Sequence, residues 1–456
     1  MIKSVRFQNW KSFRDATLYI DPLTILIGTN ASGKSNAVDG LEFLSRMARD
    51  EKLESIFNGT ATTKAIRGGA SLAAYKFSDH FEISSTIINH NHYDEIENSY
   101  AVGLKHTASL LNQTTILRKM TCDLVANTSP DKYTKTLKVV GHYVNKITTE
   151  SYNLHDIINR FNELSDKGEV SNDGIDINKL PGDSNNDNDK IELIRNDISS
   201  DNMNISLPDY KLLMRYIETV SSSIFIFKLN SLALPSYSPM SFELLEDGSN
   251  IAGVLASLGE ERTTEISAVL QKYVSRLPEN DIGRIWAEKV GRFGSDAMLY
   301  CEEKWGKDGE PVIFDARGMS DGTLRFVAIA VALMTRPAGS LLVIEDVDAG
   351  LHPSRAGVLL QMLKEVGRER KVDVLVTTHN PALLDALTPD FVPFVTVAHR
   401  DPETGESMLT LVEELDDLPR LLASGGLGKA STSGALERSL RNAPRKSTEQ
   451  EPDHGA

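Results

Sequence analysis

The residues best suited to chemistry begin at Gly28-Thr29-Asn30-Ala31-Ser32-Gly33-Lys34-Ser35, directly after the apolar run Leu23 to Ile27. This is the pattern G-x-x-x-x-G-K-[ST], and each residue type has a reason to stand where it does. The glycines let the backbone curl so that successive N–H groups, that of Asn30 among them, face a single anion. A helix expected from about Lys34, with Asn36 in its first turn, adds the positive end of its dipole. Lys34 brings a point charge to the β- and γ-phosphates of a nucleotide, and the Ser35 hydroxyl is a ligand for Mg²⁺. The implied cofactors are ATP and Mg²⁺.

Three more segments carry chemistry. Leu341-Leu342-Val343-Ile344 is an apolar strand that ends in Glu345 and Asp346, with Asp348, Gly350, Leu351, His352 and Pro353 behind it. A strand emerging beside the phosphate loop can offer one carboxylate to the metal and the next to the attacking water, roles that fall to Glu345 and Asp346 respectively. Val372 to Thr378 forms another apolar strand, and His379 at its end is placed to sense the γ-phosphate. Ser320, followed by Asp321 and Gly322, opens a helix through Met334. A Ser N-cap with small residues in the first turn suits plain capping and anion binding equally well.

Bringing these groups together requires an α/β fold with a phosphate loop, a two-lobed mixed sheet and an inserted region. Residues 1–106 read as a first lobe, with short strands at 73–77, 81–88 and 99–105. Residues 107–223 read as a helical insertion, with helices at 154–164 and 210–220 bracketing an acidic, mobile stretch from Asp166 to Asn204. Residues 224–400 read as the second lobe, with helices at 250–258 and about 263–277 and a strand pair across Gly291. Residues 401–456 read as an extension whose end, beyond Ser433, is polar and disordered. The chain has 456 residues and a formal charge of −15, which disfavours unselective coating of DNA or an acidic membrane. No apolar run is long enough to span a bilayer. The opening stretch reads as a strand and not a leader. Cys122 and Cys301 lack metal-ligand spacing and suit a reducing, cytoplasmic setting.

Together these motifs resemble the ABC-type ATPases of the RecF, SMC/Rad50 and OLD-like group, across the two lobes. Asn9-Trp10-Lys11-Ser12-Phe13 is similar to that group's first-strand motif, which adds Lys11 to the nucleotide-binding residues. The resemblance implies that Ser320 and Gly322 form a signature touching the γ-phosphate on a second subunit, so that ATP is sandwiched in a head-to-head dimer or a higher even-numbered oligomer. Lys34 and Ser320 lie 286 positions apart (320 − 34), further than in transporter subunits. The chain departs from the family at three points. Glu345-Asp346 replaces the usual Asp-Glu, which puts a shorter side chain at the base position and predicts slow hydrolysis. Asp321 stands where the signature has Gly. No Q-loop glutamine is evident beyond Gln113.

The wider arrangement looks like ATPases of bacterial anti-phage operons such as Septu and PARIS. That likeness implies a separate partner nuclease of HNH or TOPRIM type, because too little chain follows His379 for a fused TOPRIM domain. Two alternatives are a RecF-like DNA-maintenance ATPase and an ATP-bound scaffold that does not hydrolyse. Asp183 to Asp189 is not read as a calcium loop, since Asn188 stands where Gly is needed. Asn89-His90-Asn91-His92 reads as a hairpin tip, and Arg438, Arg441 and Arg445 as part of a solvated tail.

Overall fold

Three sheets with helices between and around them make up the computed structural model, which describes residues 1–49, 51, 53–61, 63–76, 78, 80–91, 98–111, 115–127, 134–145, 191–192, 223–230, 233–279, 281–304, 310–423 and 425–442. Strands β1 (Ile2–Trp10) and β2 (Phe13–Tyr19) pair antiparallel across a two-residue turn at Lys11-Ser12. Lys11 has φ 49, the left-handed conformation that so tight a hairpin calls for. β1 also pairs with β4 (His80–Asn91). The sheet then continues through β5 (Asn98–Leu111), β6 (Thr115–Asn127), β7 (Thr134–Asn145) and β8 (Ile191–Glu192), all antiparallel.

The central sheet has six strands: β3 (Leu23–Ile27), β9 (Ile224–Phe227), β14 (Leu341–Ile344), β15 (Asp373–Thr378), β16 (Val395–Arg400) and β17 (Ser407–Leu411). Their order is β17-β16-β3-β15-β14-β9, with only β17 antiparallel. Every residue of β3, β9, β14 and β15 is buried. This explains why these strands read as unbroken apolar runs, since both faces of the sheet are covered. Alternation sorts them between two cores. Leu26, Ile226, Leu341, Val343 and Leu375 join the core beneath the first sheet, with Phe7, Trp10, Phe43 and Phe81. Ile25, Ile27, Phe227, Leu342, Ile344, Val374 and Val376 face the other.

Helix α1 (Lys34–Ala48) fills the first core, and short α2 (Leu53–Asn58) follows it. The second core is built on α3 (Ile251–Ser257), α4 (Glu260–Val274), α5 (Asp321–Thr335) and α6 (Pro353–Arg370). It also receives the third sheet, where β10 (Ser238–Pro239) and β13 (Val312–Asp315) both pair with β12 (Asp296–Glu303), which pairs with β11 (Ile282–Val290). α5 is buried from Gly322 to Met334 and is the central helix. α7 (Pro381–Asp385), α8 (Leu418–Ala423), α9 (Gly426–Thr432) and α10 (Ala435–Asn442) complete the chain's described part.

Four boundaries differ from the sequence reading. Strand structure crosses position 107, because β5, β6 and β7 pair along their lengths at 98–111, 115–127 and 134–145. Of the strand expected at 73–77, the described residues 73–76 form none; Ala74 alone bridges to Trp10. The central sheet extends past 400 to β17. Within the tail expected beyond Ser433, Ala435–Asn442 form helix α10, since Leu436 and Leu440, one turn apart, are 3% and 5% exposed and give it an apolar side to dock. The helices expected at 154–164 and 210–220, Gln113, His92 and Arg445 lie outside the described residues, as does the acidic stretch apart from Ile191–Glu192, which pair with β7 as β8.

Candidate functional site

The loop between β3 and α1 depends on residues that can turn sharply. Gly28, Ala31 and Gly33 have φ 150, 62 and 120. A Cβ on Gly28 would lie 2.2 Å from the Ala398 carbonyl oxygen, and one on Gly33 2.6 Å from Ser407 Oγ. The loop is therefore wedged against β16 and β17, and Arg400 Nε donates to the Ala31 carbonyl at 2.9 Å. Gly33 caps α1 without a side-chain hydrogen bond, so the first-turn N–H groups keep their capacity for an anion. Lys34 is 8% exposed and donates to the Gly28 and Thr29 carbonyls at 2.6 and 3.0 Å. Burial pushes its ammonium below the usual lysine range, with Asp346 and Asp348 opposing that shift. Asn30 and Ser35 are exposed. Asn36 Nδ2 donates to Ser12 Oγ at 2.6 Å, and the Asn36 carbonyl accepts from Trp10 Nε1 at 2.8 Å. The first hairpin thus holds the start of α1.

β3, β15 and β14 are adjacent and parallel, and all three end at this edge of the sheet. Here β3 delivers the loop and Lys34, β15 delivers His379, and β14 delivers Glu345 and Asp346. The C-terminal edge of parallel strands is where α/β sheets bind ligands. His379 Nδ1 lies 3.7 Å from Asp346 Oδ1. Asp346 has φ 46, and its backbone is fixed on both sides: its N–H donates to Thr377 Oγ1, and its carbonyl accepts from Arg325, both at 2.9 Å. Glu345 lies deeper, its side chain 17% exposed. Burial pushes its carboxyl above the usual range, with Arg67 and Lys228 opposing.

Arg67 is the residue that sequence reasoning missed. Its guanidinium touches Asp39 Oδ1 at 2.9 Å, the Ser35 carbonyl at 3.2 Å and Glu345 Oε2 at 3.2 Å, which links α1 to the end of β14. The available signal was Arg67-Gly68-Gly69, whose glycines have φ 84 and 58. Lys11 is 6% exposed at its side chain and lies 2.5 Å from Asp39 Oδ2, so it serves that carboxylate directly. A cleft of about 430 Å³ opens between Lys11, Ser12, Asn36, Arg67, Tyr75 and Arg400. Its cations, aromatic ring and hydroxyl suit a nucleotide's base, sugar and phosphates. Lys228 stands beside Glu345, because β9 runs parallel to β14 with Phe227 opposite Ile344. Lys228 pairs with Glu42 there.

Ser320 caps α5 and accepts from the Thr323 N–H at 3.2 Å. A Cβ on Gly322 would lie 3.1 Å from the Gly350 carbonyl oxygen, so the start of α5 is packed against the loop after β14.

For Mg²⁺ the donor set suits a hard cation: the Ser35 hydroxyl and the Glu345 carboxylate, with Asp348 Oδ1 buried and without a hydrogen-bond partner among the described residues. No three His, Cys, Asp or Glu side chains converge as a metal cage among the described residues. A magnesium ion that shares its shell with phosphate oxygens and water needs none. No helix among the described residues is long and apolar enough to cross a membrane.

Residues 1–282 match the family model described as an AAA ATPase domain. Residues 240–385 match a second model, described as "AAA domain, putative AbiEii toxin, Type IV TA system". No curated protein matches the chain. Among solved structures, the SMC head bound to the C-winged helix domain of ScpA is similar with a TM-score of 0.47 and 12% identity, over 90% of this chain and 97% of that one. The SMC head domain from Thermotoga maritima gives 0.39 and 14%, over 90% and 98%. An SMC head with an extended coiled coil, bound to the C-terminal domain of ScpA derived from Pyrococcus furiosus, gives 0.41 and 12%, over 96% and 98%.

Proposed function

This chain belongs to the AAA ATPase domain family, and from that premise we propose that it binds Mg·ATP at Gly28–Ser35, hydrolyses it slowly, and uses the bound nucleotide to join a second copy of itself. The observation that carries this reading is the delivery of Lys34, His379 and Asp346 to one edge by three adjacent parallel strands. In this account the loop N–H groups and Lys34 hold the β- and γ-phosphates, and Asn30 and Asn36 help shape the loop and helix that do so. Ser35 and Glu345 hold Mg²⁺, which neutralises charge on the phosphate oxygens when bound. Asp346 accepts the proton of the attacking water, and His379 steadies the γ-phosphate. Arg67, held between Asp39 and Glu345, is a further cation within the cleft. Ser320 and Gly322 at the start of α5 are assigned to the second copy's γ-phosphate.

The slow rate follows from Asp346. Its carboxylate is one methylene shorter than a glutamate's, and the backbone is pinned by Thr377 and Arg325, so it cannot advance toward the water. The biological setting we propose is bacterial anti-phage defence, in which assembly controls a separate HNH or TOPRIM nuclease in the cytoplasm. A matched model whose description names a toxin of a type IV toxin–antitoxin system supports that setting.

The test is phosphate release together with light scattering on the Asp346→Asn variant. Hydrolysis should fall by about 10²-fold or more while Mg·ATP still binds, and the mass should double when ATP is present. Unchanged hydrolysis, or an unchanged mass at saturating Mg·ATP, contradicts the reading. Hydrolysis that rises steeply with DNA and falls with salt would instead favour the RecF-like alternative.

A further inference from the structure

A small cavity of about 50 Å³ lies against the phosphate loop, and the last described helix forms part of its wall. Its wall includes Thr29 of the loop, His379, His399 of β16, Ser431 of α9 and Glu437 of α10. Leu436 and Leu440 anchor α10 by packing into the core at 3% and 5% exposure. Between them Glu437 faces the cavity, and its Oε2 is buried with no hydrogen-bond partner among the described residues. A carboxylate oxygen withdrawn from water in this way is costly unless a donor satisfies it.

The polar groups on the wall besides Glu437 include the Thr29 and Ser431 hydroxyls and two histidines. His399 Nε2 is engaged by Thr410 Oγ1 at 3.0 Å. His379 has its Nδ1 beside Asp346 at 3.7 Å, and its half-exposed ring also borders the cavity. The cavity has room for water and enough polar groups to hold it. α9 ties the same region together. A Cβ on Gly428 would lie 2.2 Å from the Pro381 carbonyl oxygen, and the Lys429 N–H donates to Asp385 Oδ1 at 3.1 Å. The helix that follows His379 is therefore clamped to the C-terminal helices.

We infer that Glu437 is a positioning residue for His379, accepting from its ring through a water held in this cavity, so that the C-terminal helices set the orientation of the imidazole facing the phosphates. The inference rests on the ATP-hydrolysis reading for its kinetic consequence, but its geometric content does not. Carboxylates that orient a metal-bound histidine matter by about 10-fold to 100-fold, and a contact through water belongs at the lower end of that range.

The test is a double-mutant cycle with Glu437→Gln and His379→Gln in the full chain, read by kcat and KM for ATP and by the ¹⁵N ring signals of the histidines. Glu437→Gln should lower kcat about 10-fold with KM within about twofold, and should add nothing to His379→Gln. The ring signals of His379 should move in Glu437→Gln while those of His399 stay in place. Glu437→Asp, which keeps the charge, should perturb the His379 signals less than Gln does. Effects that multiply in the double variant, or ring signals of His379 that ignore both substitutions, overturn the inference. If the wild-type chain releases no phosphate, the hydrolysis reading fails, and the ring signals alone decide whether Glu437 orients His379.

Discussion

Asp346 shows how one side chain can set a rate. At φ 46 the backbone sits where Asp is tolerated better than longer residues, because a short polar side chain interacts locally. Replacing it with Glu should extend the carboxylate toward the water and raise phosphate release several-fold. The same change should cost roughly 1 kcal/mol of stability from the left-handed backbone. Phosphate release and a thermal melt on Asp346→Glu check both directions, and a slower, unaltered or more stable variant contradicts the argument. At this scale the sequence was most informative where spacing and chemistry coincide, as at Lys34 and Ser35, where a glycine-rich loop leads straight into a helix. Arg67 was illegible because its partner Glu345 lies 278 positions away. Only strand pairing brings them together, and a lone arginine before two glycines carries no period of its own. The Lys11–Asp39 pair escaped notice for the same reason.

Elements were legible when both faces of a strand are covered, since β3, β14 and β15 then appear as uninterrupted apolar runs. They were least legible where a partner decides the outcome. α10 carries only Leu436 and Leu440 as large apolar residues among charged ones, and its order comes from docking rather than propensity. β5 to β7 alternate with a two-residue period, yet the composition shift around 107 suggested a new region there. The phosphate loop is tied to β16 at Gly28, where a Cβ would meet the Ala398 carbonyl oxygen at 2.2 Å and φ is 150. Gly28→Ala should therefore push the loop away from the sheet and lower Mg·ATP affinity by about tenfold or more, a loss of at least ~1.4 kcal/mol in binding. Titration calorimetry on that variant measures it, and retained affinity contradicts the packing described.

Across the whole molecule, two cores share one central sheet, and the lobes read from the sequence are joined through β3, which lies between β15 and β16. At the start of β15, Asp373 is 3% exposed, and burial pushes its carboxyl from 3.8 up to about 6, with Lys3 opposing. A raised acid pKa means the native state favours the protonated form. That contribution to stability is complete below pH 3.8 and is lost as pH rises through about 6. Asp373→Asn should thus stabilise the protein at pH 8 by about 2 to 3 kcal/mol and make little difference at pH 3.5. Denaturant unfolding at the two values checks the sign, and an equal effect at both contradicts it. The central claim concerns one anion held by the loop amides and Lys34. It is tested most directly by titrating Mg·ATP into the wild-type chain and into Lys34→Ala in a calorimeter. The account predicts one nucleotide per wild-type chain with a Kd between about 1 μM and 1 mM, and no measurable heat from the variant. Equal affinity in both, or no heat from the wild-type chain at saturating nucleotide, would contradict it.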